Sequence, residues 1–537
     1  MTSTFAQLLK EKWTTAAEVA AIVLLFYLYA GFAAPDVNEA HYLGKAKHYW
    51  NPQWCSGDLF LESADAHLGF YWGFGWLTAW LSLPAVAWIG RSLAWIWIAW
   101  ALQQMVRLVM QRSWYGPLAA GLFLCFSHHC HLAGEWVVGG CEGKSFAYAL
   151  VFIGLLGVMQ GRWNMAWIAW GLGTTMHSLV GGWTLLAGAV VWWGEGPQRL
   201  PWRQMSLGLI VGVVLALPGV FAGLALDFDV SSEITSKAHQ IQVFQRLPHH
   251  LDISHFRTDR KILFGIMIVI WLLTWRFAPR SGVATQLHHF AIGAMILWAM
   301  GLIIHWKTID NPEIAATWLR FYWYRLADVA VPLATAVGLT VWVAPTSKNH
   351  QLMKWRFLVV IIITGFLLGH WHWARRSDRR PGSARQAWRF PVNRLDDALR
   401  KHHDWQRVCR WIAASTNADE LFLTPYNNQT FKWYAGRAEL VARKDCPQDA
   451  AGIVEWLKRL QEQKVSTRDW PPSSQKLENL MSIAKKYGCG YVLIDNFRTA
   501  PFLPSNLVYP IGLENNRSFS VVAVPQELLT DKMDETQ

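Results

Sequence analysis

Apolar runs alternate with short polar connectors through the first 373 residues, near 16–34, 68–90, 92–110, 115–133, 145–161, 163–178, 180–194, 206–226, 261–277, 287–305, 327–345 and 355–373. Most approach the length a helix needs to cross hydrocarbon while satisfying its own backbone. Past Trp373 the pattern stops. A polar stretch rich in Arg, residues 374–404, reads as a linker. Beyond it "WQRVCRWIAAST", "AAGIVEWLKRLQEQ" and "NLMSIAKKYG" have helical periodicity, whereas "ELFLTP", "YVLIDN" and "FSVVAV" read as short strands. The predicted fold is therefore mainly α. A polytopic transmembrane helical domain covers 1–373, and a small α/β domain, expected to be extracytoplasmic, covers 405–537. The glycines of "GCGYVLID" precede a strand instead of following one, so no phosphate-binding fingerprint is present and a structural or acceptor-docking role is expected.

Composition strengthens the membrane reading: 53% of the 537 residues are hydrophobic, 16% are charged, and 35 are tryptophan. Trp192, Trp193, Trp371 and Trp373 lie near segment ends, as aromatic belts do. The formal charge of +12 does not indicate nucleic acid, because the basic residues fall mostly between apolar runs. They report topology instead. With a cytoplasmic N-terminus, Arg107/Arg112, Arg162, Arg199/Arg203, Arg276/Arg280 and Lys348/Lys354/Arg356 all fall inside if 68–90, interrupted by Pro84, does not cross. This predicts about eleven crossings plus one re-entrant or surface segment, with the C-terminal domain outside. The run "ARRSDRRPGSAR" at 374–385 runs against the positive-inside rule. Lys10 and Lys12 precede an apolar segment with no well-placed cleavage site, so the first helix is expected to stay as an anchor.

The ionisable residues separate function classes. The middles of the apolar runs carry no Asp or Glu, which weighs against an ion-coupled transporter. Carboxylates gather in predicted outer loops: Asp36, Glu39, Asp58, Glu62 and Asp65, then Glu135 and Glu142 with Lys144 in "GEWVVGGCEGK". A third loop offers Arg246, His249, His250 and His255, and "RFYWYRLAD" offers Arg320 and Arg325. Acids to take a proton or hold a cation, with guanidinium groups to grip phosphate, suit a surface reaction on an anionic lipid-linked substrate. "SHHCH" at 127–131 matches no zinc spacing and reads as a helix end. His177 in "MHSLVGGW" fits either an outer helix end or close packing through Gly181 and Gly182. The seven cysteines form no CxxC pair; Cys55 and Cys141 fall in loops where they are either joined or free.

"DVNEAHY", "DAHLGFYWGFGWL" and "CEGKSF", in that order, give the chain a pattern that resembles the GT-C class of integral-membrane glycosyltransferases, of the aminoarabinose transferase and protein O-mannosyltransferase type. In this sequence the first acids are separated by Val37 and Asn38, and the second motif is Glu-Gly-Lys where the class has an Asp-containing one. The resemblance implies transfer of a sugar from a polyprenyl-phosphate donor in the lipid to an extracytoplasmic acceptor. It also implies a bacterial inner membrane, Asp36 or Glu39 as the base, and Tyr42, Glu142 and Lys144 as substrate contacts, to which the loop reading adds Arg246, His249, His250, Arg320 and Arg325. A divalent cation held by Glu39 and Glu142 is an optional part of this expectation. The alternatives are a non-catalytic protein on the same scaffold and a lipid or polysaccharide transporter.

Overall fold

The computed structural model describes residues 2–277, 282–344, 350–466, 474–496, 505–511 and 516–525. Arg280 and Lys348, two of the basic connectors, lie outside the described residues. The chain is mostly helical, with a small sheet near its C-terminal end. Among the described residues five helices are long and apolar enough to cross a membrane: Leu9–Ala30, Leu83–Met110, Trp202–Asp227, Gly282–Lys307 and Lys354–Arg376. Shorter apolar helices, Gly143–Met159, Ser178–Gly194 and Ala327–Val343, stand among them.

The apolar stretch 68–90 is not one continuous helix. It forms a short helix, Leu68–Gly73, and a tight turn, Gly75–Ala79, before Pro84 opens the long helix Leu83–Met110. The break expected between 90 and 92 is absent. Arg91 sits within that helix because its guanidinium is neutralised by Glu39. Elsewhere small residues let helices approach closely. A side chain at Gly171, in the helix Trp163–Met176, would run into the backbone of Gly212 in the helix Ser206–Leu224. Asp328, in the first turn of the helix Ala327–Val343, accepts the N–H groups of Leu132 and Ala133 at 2.7 and 2.8 Å and pins the loop that carries Glu135.

The C-terminal domain contains five strands: β1 (Leu421–Leu423), β2 (Ala438–Glu439), β3 (Tyr491–Asp495), β4 (Leu507–Tyr509) and β5 (Phe519–Ala523). Their order is β2-β1-β3-β5-β4, with β1 parallel to β2 and β3, and β5 antiparallel to β3 and β4. One face packs Phe422, Leu493 and Val521 against Trp405 and Val408. The other packs Leu423, Val492 and Val522 against Trp456 and Leu480, and also against Ala238 and Ile241 of the membrane half. The helix carrying Trp405, Leu395–Ser415, begins inside the stretch read as linker. A second short helix there, Gly382–Ala387, docks on the first loop: the N–H and hydroxyl of Ser383 donate to the Pro35 carbonyl at 3.4 and 2.8 Å.

A buried ionic knot fastens the two halves. Lys432 Nζ lies 3.1 Å from Asp58, 2.8 Å from Glu439 and 2.8 Å from Asp445, and Asp445 also meets His41 at 3.2 Å. Burial, only partly offset by Lys432, pushes the Glu439 carboxyl up to about 7, whereas Lys432 and His41 outweigh burial and hold Asp445 at about 2. Cys55 and Cys141 are both buried and unpaired, in separate apolar clusters.

Candidate functional site

Helix ends and loops on the side of the bundle that bears the C-terminal domain gather a buried cluster of charged side chains, here called the well. Glu142 occupies the position before the helix Gly143–Met159 and is 1% exposed. Among the described residues no donor meets strict hydrogen-bond geometry at its carboxylate oxygens, although the Asn38 side chain lies close enough to favour the charged form. Burial raises its pKa to about 7, although Lys144 and the Asn38 amide pull it down. A carboxyl poised near neutrality in a closed polar cluster is the usual signature of an acid–base group.

Around it the charges are ordered. Lys144 Nζ lies 3.8 Å from Glu142 and 3.5 Å from Glu135, and 3.7 Å from the centre of the Trp136 ring. Arg325 Nε meets Glu135 at 2.9 Å, while its guanidinium stacks on Tyr322 and reaches His177 Nε2 at 3.2 Å. Tyr42 lies under this group, its ring 4.9 Å from that of His67, and feels the charges of Glu142 and Arg325. Burial holds His67 at about 3 and His250 at about 3, so both are neutral at pH 7. His250 Nδ1–H donates to the Ala133 carbonyl. Lys444 enters from the C-terminal domain, within the fields of Arg246, Glu142 and Lys144, and burial lowers it to about 8. The His249 ring lies tilted against that of His250, 4.1 Å between centres, within the fields of Lys444, Arg443 and Arg246. The cations Lys144, Arg325, Lys444 and Arg246 outnumber the carboxylates Glu135 and Glu142, so the well favours an anion.

Two residues assigned to the site from sequence have other work. Glu39 is fully buried and accepts Arg91 Nε and Nη2 at 2.6 and 2.5 Å, plus the N–H groups of Cys141 and Asp36, each at 2.7 Å. Both oxygens are taken, which leaves Glu39 unsuited as a base or as a cation ligand with Glu142. Among the described residues no group of three or more His, Cys, Asp or Glu gathers to hold a metal. Arg320 lies apart from the well, 2.8 Å from Asp227 and 2.5 Å from His239.

Asp36 is half-buried at the edge, and no hydrogen bond reaches its carboxylate oxygens among the described residues. Arg375 and Arg385 feel its charge. Gly382 presses on it so closely that an added methyl would collide with Oδ1. Gly382→Ala is therefore expected to lift the linker helix or displace Asp36, lowering stability by about 1–3 kcal/mol. Thermal unfolding in detergent measures this, and an unchanged midpoint would mean the linker docks loosely. The sequence reading missed Lys444, His67 and the Glu39–Arg91 pairing. Arg91 stands between two apolar runs and Lys444 in a polar turn, so neither carries a periodic signal.

Residues 403–463 match a family model described as a domain of unknown function (DUF6798). No curated protein matches the chain. Among solved structures the chain is similar to an oligosaccharyltransferase of Archaeoglobus fulgidus, solved with an acceptor peptide tethered through a disulfide. The match has 12% identity and a TM-score of 0.43, covering 90% of this chain and 69% of that one. That likeness is too loose to assign a fold or an activity.

Proposed function

We propose that the protein is a membrane glycosyltransferase moving a sugar from a polyprenyl-phosphate donor to an acceptor outside the cytoplasmic face. The observation that carries this reading is Glu142, buried 3.8 Å from Lys144 beside an excess of cations. In the proposed step the acceptor hydroxyl or amine gives its proton to the Glu142 carboxylate and forms a bond to the sugar's anomeric carbon. The bond from that carbon to the donor phosphate breaks, and the phosphate keeps the electron pair. Lys144 and Arg325, held in place by Glu135, neutralise the departing charge, with Lys444 closing the well from above. The apolar bundle would hold the prenyl tail, which explains chemistry placed at helix ends. The donor set of Glu39 and Glu142 does not suit a cation, so no step is routed through one. Asp36 would orient the acceptor at the rim.

The test is transfer of radiolabelled sugar from mixed polyprenyl-phosphate donors by purified protein in lipid, with Asp36→Asn alongside. Transfer that falls at least about tenfold in the variant supports the reading. No transfer from any donor, by protein shown to be folded, would favour a non-catalytic role.

A further inference from the structure

The C-terminal sheet carries a cavity that the well does not use. From β1 the chain passes outward to β2 through the helix Phe431–Ala435, then returns through Ala450–Ser466 and Ser474–Tyr487 to β3 on the other side of β1. The connections leave β1 and β3 in opposite directions, which opens a crevice beyond their carboxyl ends, the position where α/β sheets accept ligands. A cavity of about 410 Å³ lies there, lined by Thr424, Tyr426, Asn427, Gln463, Lys401 and Asp495 among others. Its volume suits a small organic molecule.

The lining states the chemistry. Gln463, 2% exposed, donates Nε2–H to the Thr424 carbonyl and leaves its buried Oε1 without a donor among the described residues. A buried acceptor with no donor carries a free-energy cost that a ligand hydroxyl would remove. Asn427 offers an exposed amide and Tyr426 a half-buried ring, while Leu423, Pro425 and Val492 supply apolar wall. Lys401 is balanced by Asp495 at 2.6 Å, so the interior is close to neutral, and Arg389 stands at the exposed rim. Pro425 follows β1 where a phosphate site would need a glycine-rich turn of free N–H groups.

The geometry points to a carbohydrate-binding site at the β1/β3 crevice, taking a neutral glycan unit whose hydroxyls meet Gln463 and Asn427 and whose C–H face lies against Tyr426. Thr424, Tyr426 and Gln463 all fall inside the matched stretch 403–463. If the proposed transfer activity holds, the bound glycan is the acceptor, and only that assignment rests on the transferase reading.

Binding is tested on the full-length protein in lipid nanodiscs by saturation-transfer NMR. The probes are methyl glucoside, methyl mannoside, methyl galactoside, N-acetylglucosamine and lactose, with uridine monophosphate and inorganic phosphate as anionic comparators. The expected result is saturation of ring C–H protons in at least one sugar. Affinity should fall about tenfold in Tyr426→Ala and in Gln463→Leu and be retained in Tyr426→Phe. Circular dichroism establishes that each variant is folded. Tyr426→Ala, at a half-buried position, decides the matter if Gln463→Leu does not fold. No binding of any sugar, equal binding in Tyr426→Ala, or binding of the anionic comparators alone would overturn the proposal. Because no transfer is measured, a negative result here leaves the transferase reading untouched.

Discussion

Glu142→Gln is expected to slow sugar transfer by about a thousandfold, the range over which a positioned base acts. The wild-type rate should rise with pH through about 7, where the Glu142 carboxyl loses its proton, and this limb should vanish from the residual rate of the variant. Stability runs the other way. The folded chain holds this proton up to about 7, against an ordinary value of 4.5, so the fold binds it more tightly than the unfolded chain does. Stability therefore falls as pH rises between those values and levels off above them. The glutamine variant lacks that slope and should gain up to about 3 kcal/mol on the wild type at pH 8 relative to pH 4. Transfer assays across pH, with unfolding midpoints at both ends, check the two halves independently. A variant that keeps its full rate would remove Glu142 from the chemistry.

Arg91→Met should be at least as damaging, for a different reason. It leaves the Glu39 carboxylate buried with two backbone N–H groups and no cation, a situation that costs about 3–5 kcal/mol. Asp36 lies in the loop just before this pair and Tyr42 in the helix Glu39–Trp50 that starts at it, so the site should lose its shape along with its stability. Adding Glu39→Met to Arg91→Met removes the stranded charge and should recover most of the unfolding midpoint. If the single variant melts with the wild type, the pair contributes little and the loop is held by its other contacts.

The runs that form the five helices long and apolar enough to cross were readable because a membrane imposes a length and a polarity on a spanning helix, whereas runs that form shorter helices, such as Gly143–Met159 and Ser178–Gly194, look alike in the sequence. The major C-terminal helices were readable from their spacing. Two strands were not. β2 has two residues, too short to display an alternating pattern, and β2 and β4 exist through pairing with β1 and β5. The continuous helix Leu83–Met110 was divided at Arg91 because an arginine in an apolar run looks like an end until its partner, 52 residues earlier, is known. The same blindness moved Glu39 into the reaction. A carboxylate at a helix exit looks available in one dimension, and only the fold shows four donors on it. Lys144 and Glu142 lie close in sequence and were noticed together, whereas Lys444 reaches Glu142 only when the C-terminal domain docks.

The Lys432 knot also bears on how the molecule is made. Asp58 and His41 leave the ribosome hundreds of residues ahead of Lys432 and Asp445, so during synthesis the first loop waits with its charged groups unmatched. The late-made domain acts as the clasp that ends this wait, and a chain released before residue 432 would present an unfinished loop to the cell's proteolytic surveillance.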